Sequence, residues 1–173
     1  MVTVEFEKKT DNDWIELFPY GVTLGVDEVR PVMIFKDENE KHVLPVWVSE
    51  LEAQIAMDQT SGDRFVGSPH TIAINILKEL NAKIDRCVFV ELKGHHQVVE
   101  VFYTANGEEK KVKARAHEIM SFLLSSKPQF FCTLKHIKNS QKIEFEMEST
   151  RSKMAVESIR GRNILASKGR YLN

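Results

Sequence analysis

The residues best able to do chemistry in this sequence gather where helices are expected to begin: Glu52, His70, and a group formed by Lys113, Arg115, His117 and Glu118. Glu52 and Glu118 are carboxylates, and carboxylates hold hard divalent cations such as Mg²⁺ or Mn²⁺ and through them activate water. His70 and His117 fall at helix N-termini. The positive end of the helix dipole favours neutral imidazole there, the form that accepts a proton. Arg115 lies between a strand and a helix start, with a planar fork that fits a phosphate or a carboxylate. Each also has an ordinary structural role open to it. Ser49 with Glu52 three places later reads as a capping box, and Glu118 complements the dipole of the helix it opens. The two histidines suit a solvated first turn, and Arg115 suits an ion pair with Glu52 or Glu118.

The elements that must position these residues are readable from pattern. Residues 43–48 (Val-Leu-Pro-Val-Trp-Val) are a nearly unbroken apolar run, predicting a strand buried on both faces that drives into a helix from Ser49 to near Thr60. Leu51, Ile55 and Ala56 share a face of that helix. A strand over 30–36 precedes the run, and the turn Asp37–Lys41 makes the two a hairpin. Ser68 then Pro69 reads as a cap and first helical residue. Ile72, Ala73, Ile76, Leu77 and Leu80 are expected on one face of that helix, with Asn81 as its left-handed stop. Strand patterns follow over 84–92, 97–104 and 110–115, the last two joined by Asn106-Gly107. Ala116–Ser125 reads as a third helix and Gln129–Thr133 as a short strand. Ile143-Glu-Phe-Glu-Met-Glu alternates, which argues for an edge strand, although Ile143 and Met147 also suit a helix. Thr150–Arg160 reads as helical, and Val2–Glu7 as a strand. The fold class expected is α+β with a mixed or antiparallel sheet and about three helices. A domain over 1–137 would be followed by an extension over 138–173, a strand or helix and then a basic tail.

Composition narrows the function classes. The chain has 173 residues, 42% hydrophobic and 28% charged, which is ordinary for a globular protein. No apolar run approaches the roughly 20 residues needed to cross a bilayer. No basic-then-apolar leader opens the sequence, so a cytoplasmic location without membrane association is expected. Cys87 and Cys132 stand in strand-like contexts without Cys-x-x-Cys spacing and read as free buried thiols. Charge is uneven: residues 1–50 hold eleven acids against five bases, whereas 151–173 hold six bases (Arg151, Lys153, Arg160, Arg162, Lys168, Arg170) against one acid. Such a tail suits nucleic acid, or the acidic part of its own chain or of a partner subunit. His95-His96 reads as a surface turn. Trp14, Phe18 and Tyr20 read as core or interface before a base-stacking platform. No phosphate loop, dinucleotide glycine motif, zinc signature or nucleophile elbow is present.

Residues from about 20 to 135 resemble the bifunctional nuclease domain, a bacterial and plant family. The resemblance rests on Pro31–Glu38 followed by Val43–Ala53, on Pro69-His70-Thr71, on Leu80–Ile84, and on Lys113–Glu118. It implies an α+β fold that pairs into oligomers, a homodimer here, and hydrolysis of phosphodiester bonds in DNA or RNA. Carried over position by position, the family's polar set lands on Glu52, His70, Arg115 and Glu118. The roles implied are metal or water ligands for Glu52 and Glu118 (with Mg²⁺ or Mn²⁺), general base for His70 and phosphate clamp for Arg115. A metal-free route would use a histidine base, a histidine acid and a cation on the phosphate, with His70, His117, Arg115 and Lys113 as its candidates. The chain departs from the family at Thr71 and Lys113, where the family has aspartates, and at Ala116-His117. Those lost carboxylates favour the alternative: a catalytically inactive member acting as an oligomeric module that binds ligand, protein or nucleic acid. A purely structural assembly subunit is a third reading.

Overall fold

The computed structural model describes residues 14–23, 30–60, 69–94, 96–143 and 145. The strand expected over Val2–Glu7, the Ser68 cap, the helix expected over 150–160 and the basic tail lie outside those residues. Strand β1 (Trp14–Thr23) pairs antiparallel with β2 (Val32–Lys36), and β2 with β3 (Val43–Trp47) in the expected hairpin. Asp37 closes that hairpin: its carboxylate accepts from the His42 backbone N–H at 2.8 Å and meets the His42 ring at 2.9 Å. Helix α1 (Glu50–Thr60) follows directly, and then α2 (Pro69–Glu79). Asn81 takes φ of 51°, the left-handed stop expected after α2.

The chain then forms a meander of β4 (Ala82–Lys93), β5 (His96–Ala105) and β6 (Glu108–Arg115). Asn106 and Gly107 have φ of 54° and 79°, the two positive values that a type I′ hairpin turn needs. Helix α3 (Ala116–Ser126) ends in Lys127, also left-handed, and β7 (Gln129–Thr133) follows. A fourth helix, α4 (134–143), starts on Thr133, whose hydroxyl accepts from the His136 N–H at 3.2 Å. Ile143 and Phe145 are helical, the alternative that the spacing of Ile143 and Met147 also suited; the rest of the alternation lies outside the described residues. The fold is α+β, with four helices among the described residues rather than about three.

The sheet order is β3-β2-β1-β7-β4-β5-β6. The first three strands form one local meander and β4-β5-β6 another, and β7 lies between them, antiparallel to β1 and parallel to β4. The sheet curls until its two sides meet. Gln97 of β5 donates to the Pro45 carbonyl of β3 at 2.8 Å, and to Ser140 of α4 at 3.2 Å. Gln141 of α4 donates to the Val43 carbonyl at 2.7 Å. So α4 seals the seam, and β3 is buried although it stands at a sheet edge, where a proline removes no ladder bond. The enclosed core includes Leu17, Met33, Leu44, Val99 and Leu123, with Phe35 5.9 Å from Phe89 and 5.0 Å from Phe130 between ring centroids. Each such ring pair is worth about 0.5–1.5 kcal/mol beyond its buried area.

Two helical faces differ from expectation. On α2 the side turned inward carries His70, Ala73, Ile74 and Leu77, while Ile72, Ile76 and Leu80 stand exposed. The helix is apolar around half its circumference, so periodicity alone cannot choose which part faces in. On α1 Ala53 and Ala56 are buried but Leu51 is exposed, because Glu52 takes the inward position beside them.

Candidate functional site

Helix α3 organises the polar residues into two groups. The inner group centres on Ser121, a fully buried hydroxyl among apolar neighbours. Its backbone N–H donates to Oε2 of Glu52 at 2.7 Å, and its Oγ lies 2.8 Å from Nε2 of His70. The Ser49 hydroxyl accepts from the Glu52 N–H at 3.2 Å, as a capping box requires. The reciprocal half of the box is replaced: the Glu52 carboxylate reaches across to α3. The His70 ring also meets Phe122 edge-on, with centroids 5.7 Å apart. One serine therefore ties α1 through its main chain and α2 through its side chain. A charge-assisted bond of the Glu52 kind is worth about 1.5–3 kcal/mol.

The outer group lies at the start of α3. Arg115 is the N-cap residue, in extended backbone, and its side chain makes no capping bond. Its guanidinium donates instead to Oε1 of Glu118 at 3.4 Å, with both side chains more than half exposed. Nε2 of His117 lies 3.7 Å from the same carboxylate. The β5–β6 register sets Val98 opposite Arg115 and so brings the start of β5 beside the start of α3. There the His96 and His117 rings lie 5.1 Å apart between centroids, tilted by 35°. Burial lowers the His117 pKa below its ordinary value; His96, Arg115 and Arg30 push the same way, and Glu118 opposes them. Arg30, just before β2, thus acts on His117 through its charge.

Of the residues singled out in the sequence, Glu52 and His70 meet on Ser121, and Arg115 meets Glu118. The two groups stand one helical turn apart on α3. Glu52 spends its carboxylate on a backbone N–H and Glu118 on Arg115. Among the described residues no group of three or more His, Cys, Asp or Glu side chains is placed to hold a metal ion. These donors do not make a dedicated divalent-cation site. Lys113 lies 3.5 Å from Glu100 rather than at the start of α3. Ser121 and His96 are the additions that the structure makes.

The cysteines are free and buried, and burial pushes the Cys132 thiol up to about 12, so neither is a ready nucleophile. No helix among the described residues is long and apolar enough to cross a membrane. Compared with known proteins, the chain matches no family model and no curated protein.

Proposed function

We propose that the chain cleaves phosphodiester bonds in nucleic acid at the start of α3, with His117 as base, His96 as acid, and Arg115 on the phosphate. The observation that carries this reading is the meeting of two imidazoles and the Arg115 guanidinium at one open helix start. Held neutral by burial, His117 takes the proton of the attacking oxygen. As the phosphorus–oxygen bond to the leaving group breaks, His96 supplies the proton that the departing oxygen needs. Arg115 exchanges its exposed Glu118 partner, a pairing worth little in water, for the phosphate. Glu52 and His70 brace the helix that presents the site. The resemblance to the bifunctional nuclease domain supports the same reaction class, and the basic tail from Arg151 to Arg170 suits the same polymer.

The test is cleavage of labelled single-stranded RNA and DNA with Mg²⁺, with Mn²⁺ and with chelator. His117→Ala and Arg115→Ala are expected to lower kcat/KM by about 100-fold or more each, while a folded Glu52→Gln protein keeps most of its activity. Because Arg115 helps hold the His117 pKa down, its loss moves the acid limb of the pH–rate profile to higher pH. Metal-dependent cleavage abolished by Glu52→Gln and untouched by His117→Ala would instead favour the carboxylate route. A second reading, a non-catalytic oligomeric module, draws on α2: the exposed Ile72, Ile76 and Leu80 recur every four residues, a self-complementary stripe for a second copy. Absence of cleavage by the unmodified protein under every condition would favour it.

A further inference from the structure

The outer face of the sheet carries side chains that neither the core nor the α3 site uses, and the strand registers fix their order. Lys111 of β6 stands opposite Phe102 of β5, Phe102 opposite Arg86 of β4, and Arg86 opposite Gln129 of β7. One step past the Leu17–Phe130 pair the row reaches Phe18 of β1, which stands opposite Lys36 of β2. Cation, ring, cation, amide, ring and cation thus succeed one another across six strands. At a strand spacing of about 4.8 Å the row is about 24 Å long. Trp14 precedes Phe18 by four residues on the same face. Tyr20 follows at a bulge, with the Lys36 ammonium 3.3 Å from its ring centroid. Trp14, Phe18 and Tyr20 are 39%, 47% and 63% exposed.

A core or a dry protein interface would use these rings differently. Here Phe18 and Tyr20 are exposed beside the Lys36 cation, and the Arg86 guanidinium repeats the ring–cation arrangement 4.0 Å from the Phe102 ring. Ring faces that accept any base, with positive charge at intervals, are the chemistry of single-strand recognition. We propose that this face binds single-stranded nucleic acid, its bases stacking on Trp14, Phe18 and Tyr20 and its phosphates meeting Lys36 and Lys111. The proposal rests on the reading above for the identity of the polymer, and it names the form of it: a duplex hides the base faces that the rings would take. Acids temper the charge, since Lys36 pairs with Glu40 at 2.8 Å, Lys111 with Glu100 at 3.2 Å and Arg86 with Glu109 at 2.6 Å. Stacking therefore dominates, and salt weakens binding less steeply than it does for a basic groove.

The test is fluorescence anisotropy with labelled RNA and DNA oligonucleotides, single-stranded and duplex, using the full chain carrying His117→Ala so that the probe survives. Single strands are expected to bind saturably and more tightly than duplex. Phe18→Ala and Tyr20→Ala are each expected to raise Kd about 10-fold with unchanged thermal unfolding. Trp14 emission falls on binding, while buried Trp47 gives a constant background. No binding of single strands, equal binding of duplex, or affinity unchanged in both variants would overturn the proposal. So would self-association that Phe18→Ala abolishes, which would make the face an interface between copies. Binding without cleavage in the unmodified protein would sink the nuclease reading and leave this one standing; cleavage without Phe18-dependent binding would do the reverse.

Discussion

His136 is a residue whose charge the fold does not accept. It lies on the buried side of α4, its ring 5.9 Å from Phe89 and its Nε2 without a hydrogen-bond partner among the described residues. Burial pulls its pKa from 6.5 down to about 4. The unfolded chain therefore binds a proton between those values that the folded chain refuses. The stability linked to His136 is complete above pH 6.5, falls as pH drops toward about 4, and is flat below; the loss is roughly 3 kcal/mol. Urea unfolding across that range should show this loss in the unmodified protein relative to His136→Gln, and parallel pH profiles would refute it. At this scale the sequence was only half legible. Glu52, His70, Arg115 and Glu118 stand out by type and position. Nothing marks Ser121, because a single hydroxyl in Met-Ser-Phe-Leu-Leu is unremarkable until a carboxylate and an imidazole are seen to converge on it. His96 reads as a turn residue because its partner, His117, is brought near only by the β5–β6 register.

At the scale of elements, α3 is held by borrowed groups. Glu52→Ala removes the carboxylate that accepts from the buried Ser121 N–H and should destabilise the protein by about 1–3 kcal/mol. Ser121→Ala removes only the hydroxyl that meets His70 and should cost about 1 kcal/mol. The Glu52→Ala, Ser121→Ala double variant tests their independence. Additive losses in chemical denaturation would show separate braces, whereas a coupling of about 1 kcal/mol would show one network. The hairpins were legible because Asn106-Gly107 and the Asp37–Lys41 turn announce themselves by backbone chemistry. The helix starting on Thr133 was not, because Leu134, Ile137 and Ile143 are the only aliphatic residues over 134–143, too few to announce a helical face. The inward side of α2 was hidden for the opposite reason: its apolar residues cover both the face it packs and the face it leaves open.

At the scale of the molecule, the sheet class was readable from runs of hairpins between helices, but not its order. No local pattern tells a five-residue strand that its neighbours come from two separate meanders. Strand β7 touches β1 with Trp14 opposite Thr133, and β4 with Cys87 opposite Phe130. Each flanking meander can assemble from contacts close in sequence, whereas β7 must close a loop back to β1 over nearly the whole described chain. Loop closure of that length slows the step that needs it. The expected route therefore forms β4-β5-β6 early and inserts β7 late. Phe130→Ala should speed unfolding while barely changing the refolding rate, and Val101→Ala should slow refolding. Chevron plots giving Phe130 the higher φ-value would reverse that order. A late-inserting central strand also means that, on a ribosome, the first three strands emerge and wait with an unsatisfied β1 edge until residue 133 has been made. Their competing partner in that interval is the same edge on a neighbouring nascent chain.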